Sequence, residues 1–339
     1  MIRVILAATC LVLFAAAAQA SGADDLKAAN EAAQQGKVND AVRFFTQALE
    51  ANDLSPADQL TARKARGNEF VSASLIADAF ERLDQAQNLR DSAIADFTAV
   101  LKATTDDDAV YVARGHAYDL NGRYDAAIGD FSAALKIKDT PITLVYRANS
   151  ESAKGDYDRA IADFGAAIDR VGKDAKDAAI DAWDINSQRG YSQFIAGRYA
   201  AAAADFDKAL TLGAATRSGD VLWMPYQTAW LHIARARAGE NDADELARNA
   251  GKINVKQWPG TLVAYFLGQA KLDELTPPSS HGSMGHAREC GVAFFAGEQA
   301  LAQKDNAAAT QQLTHARAAC NIHTVYYLAA GVELKRLGK

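Results

Sequence analysis

The chain is short of the residues that interrupt helices and of the motifs that carry chemistry. Among 339 residues only six are proline, and runs of β-branched residues are few, while alanine is abundant. That balance predicts helix throughout. There is no glycine-rich phosphate loop, no GxSxG, no HExxH and no dinucleotide fingerprint, so the enzyme classes that those motifs equip have no footing here. No pair of carboxylates stands out for acid–base work either. Asp106-Asp107-Asp108 lacks the spacing of a calcium loop and reads as carboxylates favoured by the dipole at a helix start.

Positive charge is in deficit too. Lys and Arg number 36 against 42 Asp and Glu, a formal net charge of −6. A moderately acidic surface argues against nucleic-acid binding and against wide contact with anionic lipid. Long apolar runs are missing except for one, Val4–Ala18, which follows Arg3 and precedes Ala18-Gln19-Ala20. A positive start, a short apolar run and a small-x-small site predict a signal peptide over 1–20, cleaved at about Ala20/Ser21. The run is short for a membrane span, and Cys10 follows Thr9 rather than the small residue of a lipoprotein signal. The mature chain is therefore expected to be periplasmic or secreted, without a membrane span, and one charge more negative once Arg3 is gone.

What the chain does have is an internal repeat. Three stretches read GRYDAAIGDFSAALKI from Gly122, GDYDRAIADFGAAIDRV from Gly155 and GRYAAAAADFDKALTL from Gly197. Tyr124, Ala127, Ile128, Phe131, Ala134 and Leu135 step by threes and fours, as do Tyr157, Ala160, Ile161, Phe164, Ala167 and Ile168. Each set lies on one face of a helix. A second helical segment precedes each glycine, at Ala109–Leu120 and Ile142–Ala153. The unit is helix A, a turn in which Gly122 or Gly155 takes a left-handed conformation, then helix B. Units of this kind cannot bury their apolar face alone and must stack.

These residues resemble the tetratricopeptide repeat (TPR), through Gly115, Tyr118, Ala127, Phe131 and Ala134 in one copy and Gly190, Gly197, Tyr199, Ala202, Phe206 and Ala209 in another. Weaker copies hold Gly36, Ala41, Phe45 and Ala48, then Ala93 and Phe97 with Val100 in the place of alanine; the latter has a long helical lead-in, Leu60–Gln87. The resemblance implies an all-α fold, an α-solenoid wound as a right-handed superhelix of stacked helix-turn-helix repeats. It also implies a concave face lined by helix A. On that face it places Val112, His116 and Asp119 from one copy, Val145, Asn149 and Ser152 from the next, and Ser187, Tyr191 and Phe194 from the third. His116, Asp119, Asn149, Ser152, Tyr191 and Phe194 are the candidate partner contacts, suited to an extended peptide or a partner helix. The valines at 112 and 145 stand where a carboxylate clamp requires lysine.

The expected organisation is an array over 21–213 with strong repeats at 108–213, a divergent helical region at 214–275, a linker at 276–288 and a helical hairpin with a capping helix at 289–339. ARARAG, LARNAGKI, QWPGTLVAYFLGQ and AGVELKRLG, spread over 222–338, look like the carboxy-terminal part of NlpI-like TPR proteins of bacterial envelopes. That resemblance implies a non-enzymatic adaptor whose partners are envelope proteases or peptidoglycan hydrolases. Two cysteines remain after cleavage, Cys290 and Cys320, placed to meet at the open end of a final hairpin that turns near Lys304–Asp305. In an oxidising compartment they are expected to form a disulfide. The alternatives are free thiols or a metal site drawing on His281, His286, Cys290, His315 and His323. Two other functional readings stand beside the adaptor: a metal-binding or enzymatic C-terminal segment, and a structural subunit of an envelope assembly. No cofactor is expected.

Overall fold

The computed structural model describes residues 21–171, 181–216, 223–275, 283–322 and 324–339. The leader read over 1–20 lies outside them, as do His281, His323 and most of the connection after the second strong copy. Among the described residues there are sixteen α-helices and no strand, so the fold is all-α, as stacked helix-turn-helix repeats require. The chain divides into two compact units, one ending at Asn121 and one beginning at Gly122.

The first unit holds α1 (Gly22–Gln34), α2 (Val38–Glu50), α3 (Pro56–Ala79), α4 (Leu83–Ala103) and α5 (Asp108–Leu120). Helices α1 and α2 form one hairpin and α3 and α4 a second. The helix starts are set locally. Ser21, Ser55 and Asp107 each accept a hydrogen bond from the backbone N–H three residues on, and Pro56 fits the first turn of α3, satisfying donors that the helix itself leaves free.

The second unit holds α6 (Tyr124–Ile137), α7 (Pro141–Lys154), α8 (Tyr157–Val171), α9 (Ala182–Ile195) and α10 (Tyr199–Thr216). Then come α11 (Trp223–Ala238), α12 (Ala243–Ala250), α13 (Gly260–Phe266), α14 (Ser283–Ala302), α15 (Asn306–Ala319) and α16 (Val325–Arg336). Hairpins α7–α8, α9–α10 and α14–α15 repeat the pattern, and α11 packs against α10, α13 and α14. Helix α14 starts at Ser283, inside the stretch expected to be linker.

One turn geometry recurs. Gly36, Gly155, Gly197 and Gly239 all have positive φ, and the residue after each donates its N–H to the carbonyl five residues back, as in Asp156 to Glu151 and Arg198 to Gln193, both at 2.8 Å. Glu81 (φ 58°) and Lys304 (φ 63°) make the same turn without glycine, with Arg82 bonding Ala77 and Asp305 bonding Ala300 at 2.9 Å. The αL residue and its closing bond end helix A and launch helix B. The turn at Glu81 corrects the expected lead-in. Leu60–Gln87 is two helices, not one, because a left-handed residue can end a helix even when it carries a side chain.

The packing follows the repeat. Ala41, Phe45 and Ala48, then Ala93, Phe97 and Val100, Ala127, Phe131 and Ala134, Ala160, Phe164 and Ala167, and Ala202, Phe206 and Ala209 are all buried. Ala309, Leu313 and Ala316 are buried in the same series on α15, with leucine in the place of phenylalanine. A small residue of helix A faces the ring. A Cβ added at Gly190 would sit 2.7 Å from Phe206, one at Gly67 would sit 2.7 Å from Phe97, and one at Gly297 would sit 2.7 Å from Leu313.

The α3–α4 hairpin is the same unit with longer arms. Seven residues separate Gly190 from Gly197 and nine separate Gly197 from Phe206, whereas fourteen separate Gly67 from Glu81 and sixteen separate Glu81 from Phe97. Each arm has gained seven residues, about 10 Å of helix.

Candidate functional site

Each helix A of the strong repeats carries an arginine one step before its small residue, and each helix B carries an aspartate one step before its phenylalanine. In α7–α8 the Arg147 guanidinium donates to both carboxylate oxygens of Asp163, at 2.6 and 2.9 Å. In α9–α10 Arg189 does the same to Asp205, at 2.8 and 2.6 Å. In α3–α4 Arg66 grips Asp96 at 2.7 and 2.8 Å. Such forked pairs fix geometry as well as charge. Asp163 is thus held in an ion pair while its neighbour Phe164 lies in the core. Two of these aspartates, Asp96 and Asp205, are buried.

The six candidate contacts meet different fates. His116 and Asp119 are half-buried on α5, and burial holds the His116 imidazole below its ordinary pKa. Asn149 is exposed on α7. Ser152, half-buried one turn further along, has its hydroxyl 2.7 Å from that of Ser192 on α9, so it is engaged between successive helices A. Tyr191 packs its ring against Trp230 (centroids 4.8 Å apart) and Phe206 (5.3 Å), and its hydroxyl accepts from the Gln227 amide at 3.1 Å. Burial pushes its phenol pKa up. Phe194 has no exposed surface and stands edge-on to Trp230 and Tyr199.

The expectation that Phe194 faces a partner is therefore corrected, whereas Tyr191 is partly buried and packs against the same cluster. The reason is α11. Its Trp230, itself buried, covers α9 and gathers Phe194, Phe206, Phe294, Phe295 and Tyr326 into one aromatic cluster. Val145 and Ser187 are buried as well.

The structure also assembles charges that the sequence did not single out. Arg237 at the end of α11 donates to Glu298 of α14, to Glu333 of α16 at 3.1 Å and to the hydroxyl of Tyr199, and stacks over the Tyr199 ring at 4.4 Å. Arg336 pairs with Glu333 and donates to the Ile195 carbonyl at 2.6 Å. Burial pushes the Glu298 carboxyl up to about 8, against the pull of Arg237. The only sequence signal was an arginine and two glutamates set among apolar residues. Glu298 has no exposed surface and Glu333 only 2%, so the cluster joins α10, α11, α14 and α16 rather than meeting a substrate. Beside it Arg336, Arg198, Arg159 and Tyr157 line an open recess of about 490 Å³, with Asp156 and Asp158 on the same rim.

Cys290 and Cys320 are joined by a disulfide, both buried, closing the open end of the α14–α15 hairpin. His315 bonds Glu289 at 2.6 Å, and His286 is exposed. Among the described residues no group of three His, Cys, Asp or Glu side chains is arranged to hold a metal. Asp107 of the acidic triplet caps α5 and accepts from Lys64 at 2.7 Å. No described helix is long and apolar enough to cross a membrane.

Comparison with known proteins agrees with this architecture. Residues 109–141 match the tetratricopeptide repeat family. Among solved structures, the chain is similar to a tetratricopeptide repeat protein from Parabacteroides merdae, at 13% identity and a TM-score of 0.52, over 91% of this chain and 98% of that one. It is also similar to the apo form of RapI, at 12% identity and a TM-score of 0.51, over 88% of this chain and 97% of the other. No curated protein matches the sequence.

Proposed function

We propose that the protein is a periplasmic adaptor that binds protein or peptide partners and performs no covalent chemistry of its own. The TPR hairpin is a scaffold for protein interaction, and one observation carries the reading here. The recurring residues of each unit are consumed by packing, from the Ala–Phe–Ala series to the Arg–Asp forks, while helix A positions such as Asn149 stay exposed. Specificity then lies in the residues that vary between copies. The leader pattern of 1–20 supports delivery across a membrane, and a buried disulfide suits an oxidising compartment. The NlpI-like pattern of the C-terminal third supports envelope proteases or peptidoglycan hydrolases as the partner class.

A photo-crosslinking residue placed at Asn149 should capture a discrete partner in intact cells, and the same residue at exposed Asp207 on the helix B side should not. Equal labelling from both sites, or none from Asn149, would remove the face assignment. A phosphatase fused after residue 21 should be active only when the first twenty residues are kept; activity without them would overturn the localisation.

A further inference from the structure

The lengthened α3–α4 hairpin does more than stack. Its core contacts, Gly67 on Phe97 and Arg66 on Asp96, are those of an ordinary repeat, and they lie in the lower part of the arms. The seven extra residues in each arm carry a different surface. Leu75 and Ile76 are 50% exposed, Phe80 65% and Leu83 68%, so four of the six large exposed hydrophobics among the described residues sit on this one tip. The other helices of the same unit, α1, α2 and α5, are each thirteen residues long, too short to flank arms of 24 and 21 residues along their length. The tip is nevertheless well built. Arg90, buried, ties the two arms together by pairing with Asp78 of α3, and donates to the Leu120 carbonyl at 3.0 Å.

We propose that the α3–α4 tip is a self-association surface that pairs with the same tip of a second copy of this chain. Two observations select that occupant. The first is charge. Around the apolar residues stand Glu81, Arg82 and Asp84, all exposed, with Arg82 lying over the Phe80 ring at 5.3 Å. An anionic lipid surface would meet the two carboxylates, whereas a second tip related by a two-fold axis brings each Arg82 to its partner's acids. The second is area. The four side chains expose roughly 400 Å² of apolar surface, the size of the largest patch on an ordinary monomer. Two tips together bury about twice that, and the polar rim brings the total toward the roughly 1,200 Å² at which specific interfaces begin. The result is a weak, reversible dimer with a dissociation constant on the order of micromolar.

Sedimentation velocity of the purified protein over a concentration series tests this. The expected result is a monomer–dimer equilibrium that shifts tenfold or more toward monomer in Phe80→Asp and in Leu83→Asp, with helical circular dichroism unchanged. Arg82→Glu alone should weaken pairing, as should Glu81→Arg combined with Asp84→Arg. An equimolar mixture of those two variants should restore it. A wild type that stays monomeric at 100-fold above the expected constant overturns the proposal. So does a dimer indifferent to all these changes, a mixture that fails to recover, or a monomer that binds vesicles of phosphatidylethanolamine and phosphatidylglycerol through Phe80 and Leu83.

Discussion

Tyr199 and Glu333 lie 134 residues apart in sequence, yet the tyrosine hydroxyl donates to the glutamate at 3.0 Å. The bond joins the first turn of α10, inside the repeats, to the last helix of the chain. It belongs to a buried group of charges whose balance depends on pH. A carboxyl whose pKa is raised by folding holds its proton more tightly in the native chain than in the unfolded one. Its stabilising contribution is complete below the ordinary carboxylate range and is lost as pH rises through the folded value. Glu298 is raised to about 8, chiefly by burial, and Glu151 of α7 to about 7 for the same reason. Thermal midpoints should therefore fall between pH 5 and pH 9. Glu298→Gln should flatten that fall, and an unchanged slope in differential scanning calorimetry would show that Glu298 is ionised throughout.

Two glycines inside helices should answer oppositely to alanine. Gly129 on α6 has open space where a Cβ would go, so Gly129→Ala should stabilise by about 0.5–1 kcal/mol through helix propensity alone. Gly190→Ala gains the same propensity but drives a methyl to 2.7 Å from the Phe206 ring. Overpacking of this kind costs about 1–3 kcal/mol, so the net should be a loss in urea unfolding. Equal effects at both sites would mean that the ring moves aside.

At the α14–α15 turn, Lys304 holds the φ that glycine holds at 36, 155, 197 and 239. Lys304→Gly should relieve a left-handed cost of roughly 1–2 kcal/mol, less the greater freedom of glycine in the unfolded chain. A gain of about 0.5–1 kcal/mol is expected, read as a higher urea midpoint at constant slope. A loss would show that the lysine side chain contributes a contact worth more than the strain.

The Cys290–Cys320 bridge spans 30 residues, and a loop of that length is worth roughly 3–4 kcal/mol in the chain-entropy model. Changing both cysteines to serine should cost about that much. Hydrogen exchange should quicken first in α14 and α15, the helices that the bridge ties together. Uniform acceleration along the chain would mean that the hairpin does not open separately.

Much of this was readable because the repeat writes the same instruction several times. Gly122, Gly155 and Gly197 announced their turns, and Ala127, Phe131 and Ala134 announced a buried face. Where the repeat altered one letter the reading failed. Glu81 makes the turn of a glycine, so two helices looked like one; Leu313 fills the place of a phenylalanine, so α15 carried no repeat signature. The Arg–Asp forks were visible as an aspartate before each phenylalanine, but pairing it with an arginine 16 residues earlier, or 30 in the lengthened α3–α4 hairpin, requires knowing the hairpin. Phe194 was misplaced for a different reason. What covers it, Trp230, comes from outside the recurring unit, and no periodicity within α9 could reveal a helix packed there.

The arms of α3–α4 also say something about how such a chain can be lengthened. Seven residues advance a helix by two turns within about 20°, so Phe97 and Asp96 still point at Gly67 and Arg66 across a longer hairpin. Five residues would swing that face by about 140° and bring solvent-facing positions inward. Growth of this hairpin is therefore stepped rather than continuous. It can reach outward in increments of about 10 Å while the stack beneath it stays in register, provided that the added turns keep small buried residues such as Ser74, Ala77 and Ala86.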